Sequence, residues 1–102
     1  MVMARKAGLD LDLTREIIGA SPATSPMFDL RSPLMAQGHY LPAMAKVSML
    51  NKDIGIIRDF ARKAGAPTPL LDTCAGLFEA GLAAHGDEDA AAVHAVIEER
   101  AS

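Results

Sequence analysis

Asn51-Lys52-Asp53 is the most informative cluster of polar side chains in this sequence. It lies within a long stretch whose apolar residues Val47, Leu50, Ile54, Ile57, Ala61 and Ala64 recur at three- and four-residue steps, which predicts a helix with one buried face. On the helical wheel Lys52 falls off that stripe. It is flanked at i−3 and i+4 by Met49 and Ile56, two apolar residues on what should be the solvent side. A second apolar patch around a lysine implies that this side meets another domain, another subunit or a ligand. Asp53 falls nearer the main stripe, so it is expected to be partly buried and to need a hydrogen-bonding partner. The alternative is an ordinary solvated Lys-Asp pair on an amphipathic helix.

The other reactive residue types are scattered. His39 falls in a loop, His85 at a helix end and His94 on the last helix, and no His-x-x-x-His pair occurs. His94 with Glu98, and His85 with Asp89, are lone four-residue pairs, so no metal site is expected. Cys74 is the only cysteine. It matches the apolar face of its helix and is expected to be a buried, unreactive thiol. There is no nucleophile elbow and no glycine-rich phosphate loop. These residues give no sign of a catalytic cycle run by this chain alone.

The elements that carry these residues are well punctuated. Residues 1–7 resemble the last turns of a helix, stopped by Gly8. A helix opening there without a cap is expected to start further upstream. Asp10 caps a second helix ending at Gly19. Ser25 and Pro26 supply N-cap and N1 of a third that ends near Gly38, with Pro33 expected to kink or split it. Residues 39–42 form a short extended link. The long helix is expected from about Ala43 to Ala64, with Gly65 as its stop. Gly55 in its middle costs about 1 kcal/mol relative to Ala unless a neighbour packs close against it. Thr68 and Pro69 open a fifth helix stopped by Gly86. Asp87, Glu88 and Asp89 place negative charge at the start of the last, with Arg100 at its end.

The 102 residues allow one domain, a single helical unit over 1–102. Half of them are hydrophobic, but aromatics make up only 4 % and Ala, Leu and Met dominate. Such a composition favours helix over strand, so the fold class is all-α, a bundle of about five or six helices. A net charge of −3 without a basic cluster argues against nucleic acid as a partner. No apolar run approaches the ~18–20 residues of a membrane span, and the N-terminus lacks signal-peptide order, so a cytoplasmic location is expected.

Several short motifs, in register, resemble one family. Lys6-Ala7-Gly8-Leu9-Asp10, Tyr40-Leu41-Pro42, Lys52-Asp53-Ile54-Gly55, Ala64-Gly65-Ala66-Pro67-Thr68-Pro69 and Gly86-Asp87-Glu88-Asp89 look like the C-terminal domain of the β-hydroxyacid dehydrogenases. That family includes 3-hydroxyisobutyrate dehydrogenase, tartronate semialdehyde reductase and L-threonate dehydrogenase. The resemblance implies a 6-phosphogluconate-dehydrogenase-like fold in which this helical domain closes over an NAD- or NADP-binding Rossmann domain. It implies hydride transfer to or from a small 3-hydroxy acid or its semialdehyde. Lys52 then takes the place of the family's cofactor-contacting lysine, and Asp53 orients it or braces the helix. The family's catalytic lysine would lie upstream of Met1, so this chain alone is expected to be inactive, and Lys6 is no substitute. Ala43-Met44 stands where the family has Gly-Phe, and Ala91-Ala92 where it has Ser-Ala. Both changes obscure the substrate, and Met44 removes an aromatic contact near the cofactor. Loss of a docking partner would expose apolar surface, so a homo-oligomer is expected. The rival reading is a stand-alone helical oligomerisation or interaction module without catalysis.

Overall fold

The computed structural model describes residues 1–101, and among them the chain is all-helical. Six α-helices follow one another: α1 Val2–Lys6, α2 Leu11–Gly19, α3 Pro26–Gln37, α4 Val47–Ala64, α5 Pro69–His85 and α6 Val93–Glu99. A 3-10 turn, Ala90–Ala92, leads into α6.

Local chemistry sets most boundaries. The Asp10 carboxylate accepts the Leu13 N–H at 2.8 Å, and the Ser25 hydroxyl accepts that of Phe28 at 3.0 Å. Gly38 and Gly65 take left-handed conformations, φ 65° and 70°, and end α3 and α4. Thr68 makes no side-chain cap on α5; its hydroxyl goes to the Asp72 carboxylate instead. Pro33 does not split α3, which runs unbroken through it. The proline removes the N–H that the Asp29 carbonyl would have bonded, but Asp29 is at the surface, where solvent can replace that partner.

α2 lies antiparallel on α3, with Gly19 beside Asp29 and Arg15 Nε donating to the Ser32 hydroxyl at 3.1 Å. The broadest helix–helix contact is between α4 and α5. Along α4 the buried line is Val47, Ile54 and Ala61, a strict seven-residue step; Leu50 is half-buried, while Ile57 and Ala64 are exposed. The buried stripe is thus narrower than the sequence spacing suggests. At the centre, Tyr40, Val47, Ala91 and Ala92 pack together with Leu34, Met35, Phe78 and Ala95 around them. Gly81 of α5 allows close approach there: a Cβ at that position would stand 3.1 Å from Val96 Cγ2. A Cβ added at Gly55 would meet nothing within 4 Å, so its place in α4 has no explanation inside this fold.

Candidate functional site

α4 begins four residues later than its apolar pattern suggests, at Val47 rather than Ala43. The 86–89 turn is the cause. Its Asp89 carboxylate is completely buried, and Oδ2 accepts the N–H groups of Met44 at 3.0 Å and Ala45 at 3.4 Å. A helix from Ala43 would leave those two amides unpaired anyway; what breaks its ladder is that the Val47 and Ser48 N–H groups, which would bond the Ala43 and Met44 carbonyls, go to the 86–89 turn instead. Oδ1 caps the 3-10 turn by accepting the Ala91 N–H at 2.9 Å, and Arg31 Nε approaches the same oxygen to 3.3 Å. Backbone bonds complete the join. Asp89 N–H donates to the Tyr40 carbonyl at 2.9 Å, and Ala90 N–H to that of Ala45 at 2.8 Å. The first amides of α4, Val47 and Ser48, donate to the carbonyls of Glu88 and Gly86 at 2.9 and 3.1 Å. The N-cap residue Lys46 offers no side-chain cap, so the 86–89 turn caps α4 from outside.

On the helix so placed, Lys52 projects to the surface with its side chain 69 % exposed. Asp53 is exposed too, at 54 %, against the expectation of partial burial. It sits just outside the buried line that Ile54 defines, and its contact is Lys52, Oδ1 to Nζ at 3.9 Å. Met49, Ile56 and Phe60 are 49, 60 and 74 % exposed. They stand at i−3, i+4 and i+8 of Lys52, so an apolar strip runs along the same outward side of α4. Gly55 leaves bare backbone one turn beyond the lysine.

The remaining candidates are elsewhere. Cys74 is exposed, not buried; its neighbour Ala75 takes the buried place on α5. His39 is exposed in its loop. His85 pairs not with Asp89, whose oxygens are taken, but with Glu88, Nδ1 to Oε2 at 3.1 Å, and more distantly with Glu99 at 3.7 Å. His94 is buried, with Nδ1 3.2 Å from the Tyr40 hydroxyl and 3.9 Å from Glu98 Oε2, and its Nε2 has no partner. Burial pushes the imidazole pKa below its usual value, with Glu98 opposing the shift. Burial, reinforced by Glu98, pushes the Tyr40 phenol up. Among the described residues no group of three or more His, Cys, Asp and Glu side chains converges on a common point.

Sequence reasoning does not single out Arg31 or Asp89. Asp89 is one of three acids in a row, and nothing local marks which one turns inward. The available signal is the Ala90-Ala91-Ala92 run after it, small enough for a close-packed join, together with one arginine between Met27, Leu30, Leu34 and Met35 on α3.

The family described as NAD-binding of NADP-dependent 3-hydroxyisobutyrate dehydrogenase matches residues 1–97. The chain belongs to this family. The family's description names NAD and NADP, so its cofactor class is NAD or NADP. Similar relatives include the L-threonate dehydrogenases of Haemophilus influenzae and Escherichia coli, each 34 % identical over 94 residues, and that of Cupriavidus necator, 36 % identical over 94 residues. In each case the match covers 91 % of this chain and 31 % of the relative, so the chain spans about a third of their length. The crystal structure of 3-hydroxyisobutyrate dehydrogenase from Salmonella typhimurium superposes with a TM-score of 0.86 at 30 % identity, over 93 % of this chain and 33 % of that one. The Mycobacterium tuberculosis 3-hydroxyisobutyrate dehydrogenase with L-serine shares the fold, with a TM-score of 0.82 at 24 % identity over 94 % of this chain and 35 % of that one.

Proposed function

We propose that this chain is the helical C-terminal domain of an NAD(P)-dependent 3-hydroxyacid dehydrogenase, and that α4 closes over a dinucleotide held by a Rossmann domain. The observation that carries this reading is the outward side of α4, where an exposed lysine stands in an apolar strip that this fold leaves uncovered. A helix side turned permanently to water has no use for Met49, Ile56 and Phe60 together. A bare Gly55 beside Lys52 weakens the helix with no gain inside the chain, but it leaves room for a ligand or a facing surface.

These residues suit one contact to a dinucleotide rather than a whole seat for it. Lys52 offers a compact, mobile ammonium with three donors, able to reach cofactor or substrate oxygens. Asp53 orients that ammonium and, being exposed, does not brace the helix. The chain contains no glycine-rich phosphate loop, so phosphate binding falls to the Rossmann partner. When bound, the cofactor supplies or accepts the hydride. The substrate class is a small 3-hydroxy acid or its semialdehyde, and L-threonate is the first to try because several relatives bear that name. The catalytic lysine belongs to the partner portion, the assembly acts in the cytoplasm, and the exposed apolar faces favour a homo-oligomer.

The test is a chimera in which this chain replaces the matching third of the Escherichia coli L-threonate dehydrogenase. It should oxidise L-threonate with NAD or NADP, and Lys52→Ala should raise the KM for the dinucleotide or slow turnover with little loss of stability. Equal kinetics in the variant would return Lys52 to the solvated-surface class. The isolated chain should show no hydride transfer, and single-turnover activity from it would overturn the division of labour.

A further inference from the structure

We propose that Asp89, set by Arg31, is a positioning residue for the cofactor-facing side of α4. This rests on the reading of that side given above. α4 does not cap itself, since Lys46 supplies no side chain to its first turn and the Val47 and Ser48 amides are held by carbonyls of the 86–89 turn. Where α4 starts, and how it is aimed, therefore depends on where that turn sits. The turn is pinned from within by a single carboxylate with no exposed surface. One of its oxygens holds the lead-in to α4 through Met44 and Ala45, and the other meets Ala91 and the Arg31 guanidinium. Arg31 is itself mostly buried and belongs to α3, so the ion pair joins three parts of the chain distant in sequence. Met44, at the surface on the clamped segment, and Lys52, just over one turn into α4, take their places from this join.

A carboxylate suits this position because every group facing it is a donor. Asparagine has nearly the same shape but offers an NH2 on one side. That side must then face either the Met44 and Ala45 amides or the Ala91 amide and Arg31.

Amide exchange in this chain and steady-state kinetics in the chimera described above test the assignment. In Asp89→Asn the core methyl spectrum should persist, while the Met44, Ala45, Val47 and Ser48 amides exchange about tenfold faster or more as the join opens locally. In the enzyme, KM for the dinucleotide should rise about tenfold while kcat at saturation changes by less than about twofold, as expected when a ground-state contact is misplaced. Asp10→Ala, which removes the cap on α2 and lies outside the join, should lower stability without moving KM. A purely structural role for Asp89 would make the two variants behave alike. If Asp89→Asn does not fold, Arg31→Gln keeps all the amide acceptors and a neutral donor, and should shift KM in the same direction by about threefold. A folded variant with an unchanged KM overturns the positioning role, as do amides that exchange at the wild-type rate. An inactive parent chimera counts against the proposed function, and the exchange rates then decide alone whether the carboxylate holds α4 in place.

Discussion

Two glycines of α5 separate packing from backbone propensity. Gly76 is exposed, and a methyl added there would meet nothing within 4 Å, whereas Gly81 is buried and its added methyl would meet Val96 Cγ2 at 3.1 Å and Val47 Cγ1 at 3.6 Å. Replacing either by Ala contributes the same helix-propensity gain, about 0.8–1 kcal/mol. At Gly76 nothing opposes it, so Gly76→Ala should stabilise by about that amount, a rise in Tm of about 4–8 °C for a domain of this size. At Gly81 the second contact is an ordinary one, but the first is several tenths of an ångström inside the optimal carbon–carbon separation of about 3.5–4.0 Å. Val96 is β-branched, helical and buried, so it has essentially one rotamer and cannot swing aside. Relief has to come from moving α6 off α5, and overpacking of this kind costs about 1–3 kcal/mol. Gly81→Ala should therefore be neutral to destabilising by about 2 kcal/mol, and the two variants should differ by about 1–3 kcal/mol. Urea unfolding followed by far-UV circular dichroism, with equal m-values, reads this difference directly. Equal stabilisation by both substitutions would refute the reasoning, because Gly81 would then not be a packing glycine.

Other perturbations follow from the same contacts. His94 has a lowered pKa in the fold, so the unfolded chain takes up a proton first as pH falls through 6.5, and stability drops from there down to the lowered value. His94→Gln should flatten that loss in melts between neutral and mildly acidic pH, and a slope unchanged by the substitution would exclude His94 as its source. Ser25→Ala removes the cap on α3 and should cost about 1 kcal/mol in urea unfolding. Asp89→Ala leaves a mostly buried guanidinium without its partner and should cost about 3–5 kcal/mol, far more than any exposed ion pair of the chain. Gly55→Ala should stabilise the isolated chain by about 0.5–1 kcal/mol yet raise the KM for the dinucleotide in the chimera. A gain in stability with unchanged KM would show that the gap beside Lys52 serves nothing.

What the sequence makes legible is whatever depends on near neighbours. Asp10 and Ser25 as caps, Gly38 and Gly65 as stops, and the outward Met49-Lys52-Ile56 patch are all decided within a turn or two of chain. What it hides depends on distant partners. The start of α4 is moved by the carbonyls of Gly86 and Glu88, more than forty residues away, which no window around Ala43 contains. Burial of Asp53 and Cys74 would follow from the width of the apolar stripes on the wheel, but α4 and α5 cover each other along a narrower line than the wheel allows. Asp89 cannot be singled out in sequence because three consecutive acids look equivalent until the fold turns one inward.

The distribution of side-chain size bears on the function as strongly as any single residue. Apart from Tyr40 and Ile54, the interior is built from small groups: Ala4, Ala61, Ala75, Ala90, Ala91 and Ala92, with Val47 and Val96. Phe60, Leu70 and Met3 are among the most exposed residues. Each large apolar side chain left in water forfeits about 1.5–3 kcal/mol that burial would contribute. A domain that had to stand alone would gain by exchanging these positions, because larger residues inside and polar ones outside would raise stability and lower the tendency to aggregate. The arrangement makes sense if the outer residues are interior to something larger, with the small core serving to hold helix faces at fixed angles. On that view docking and folding are linked: whatever covers the α4 strip should also raise the chain's unfolding midpoint, in proportion to its binding.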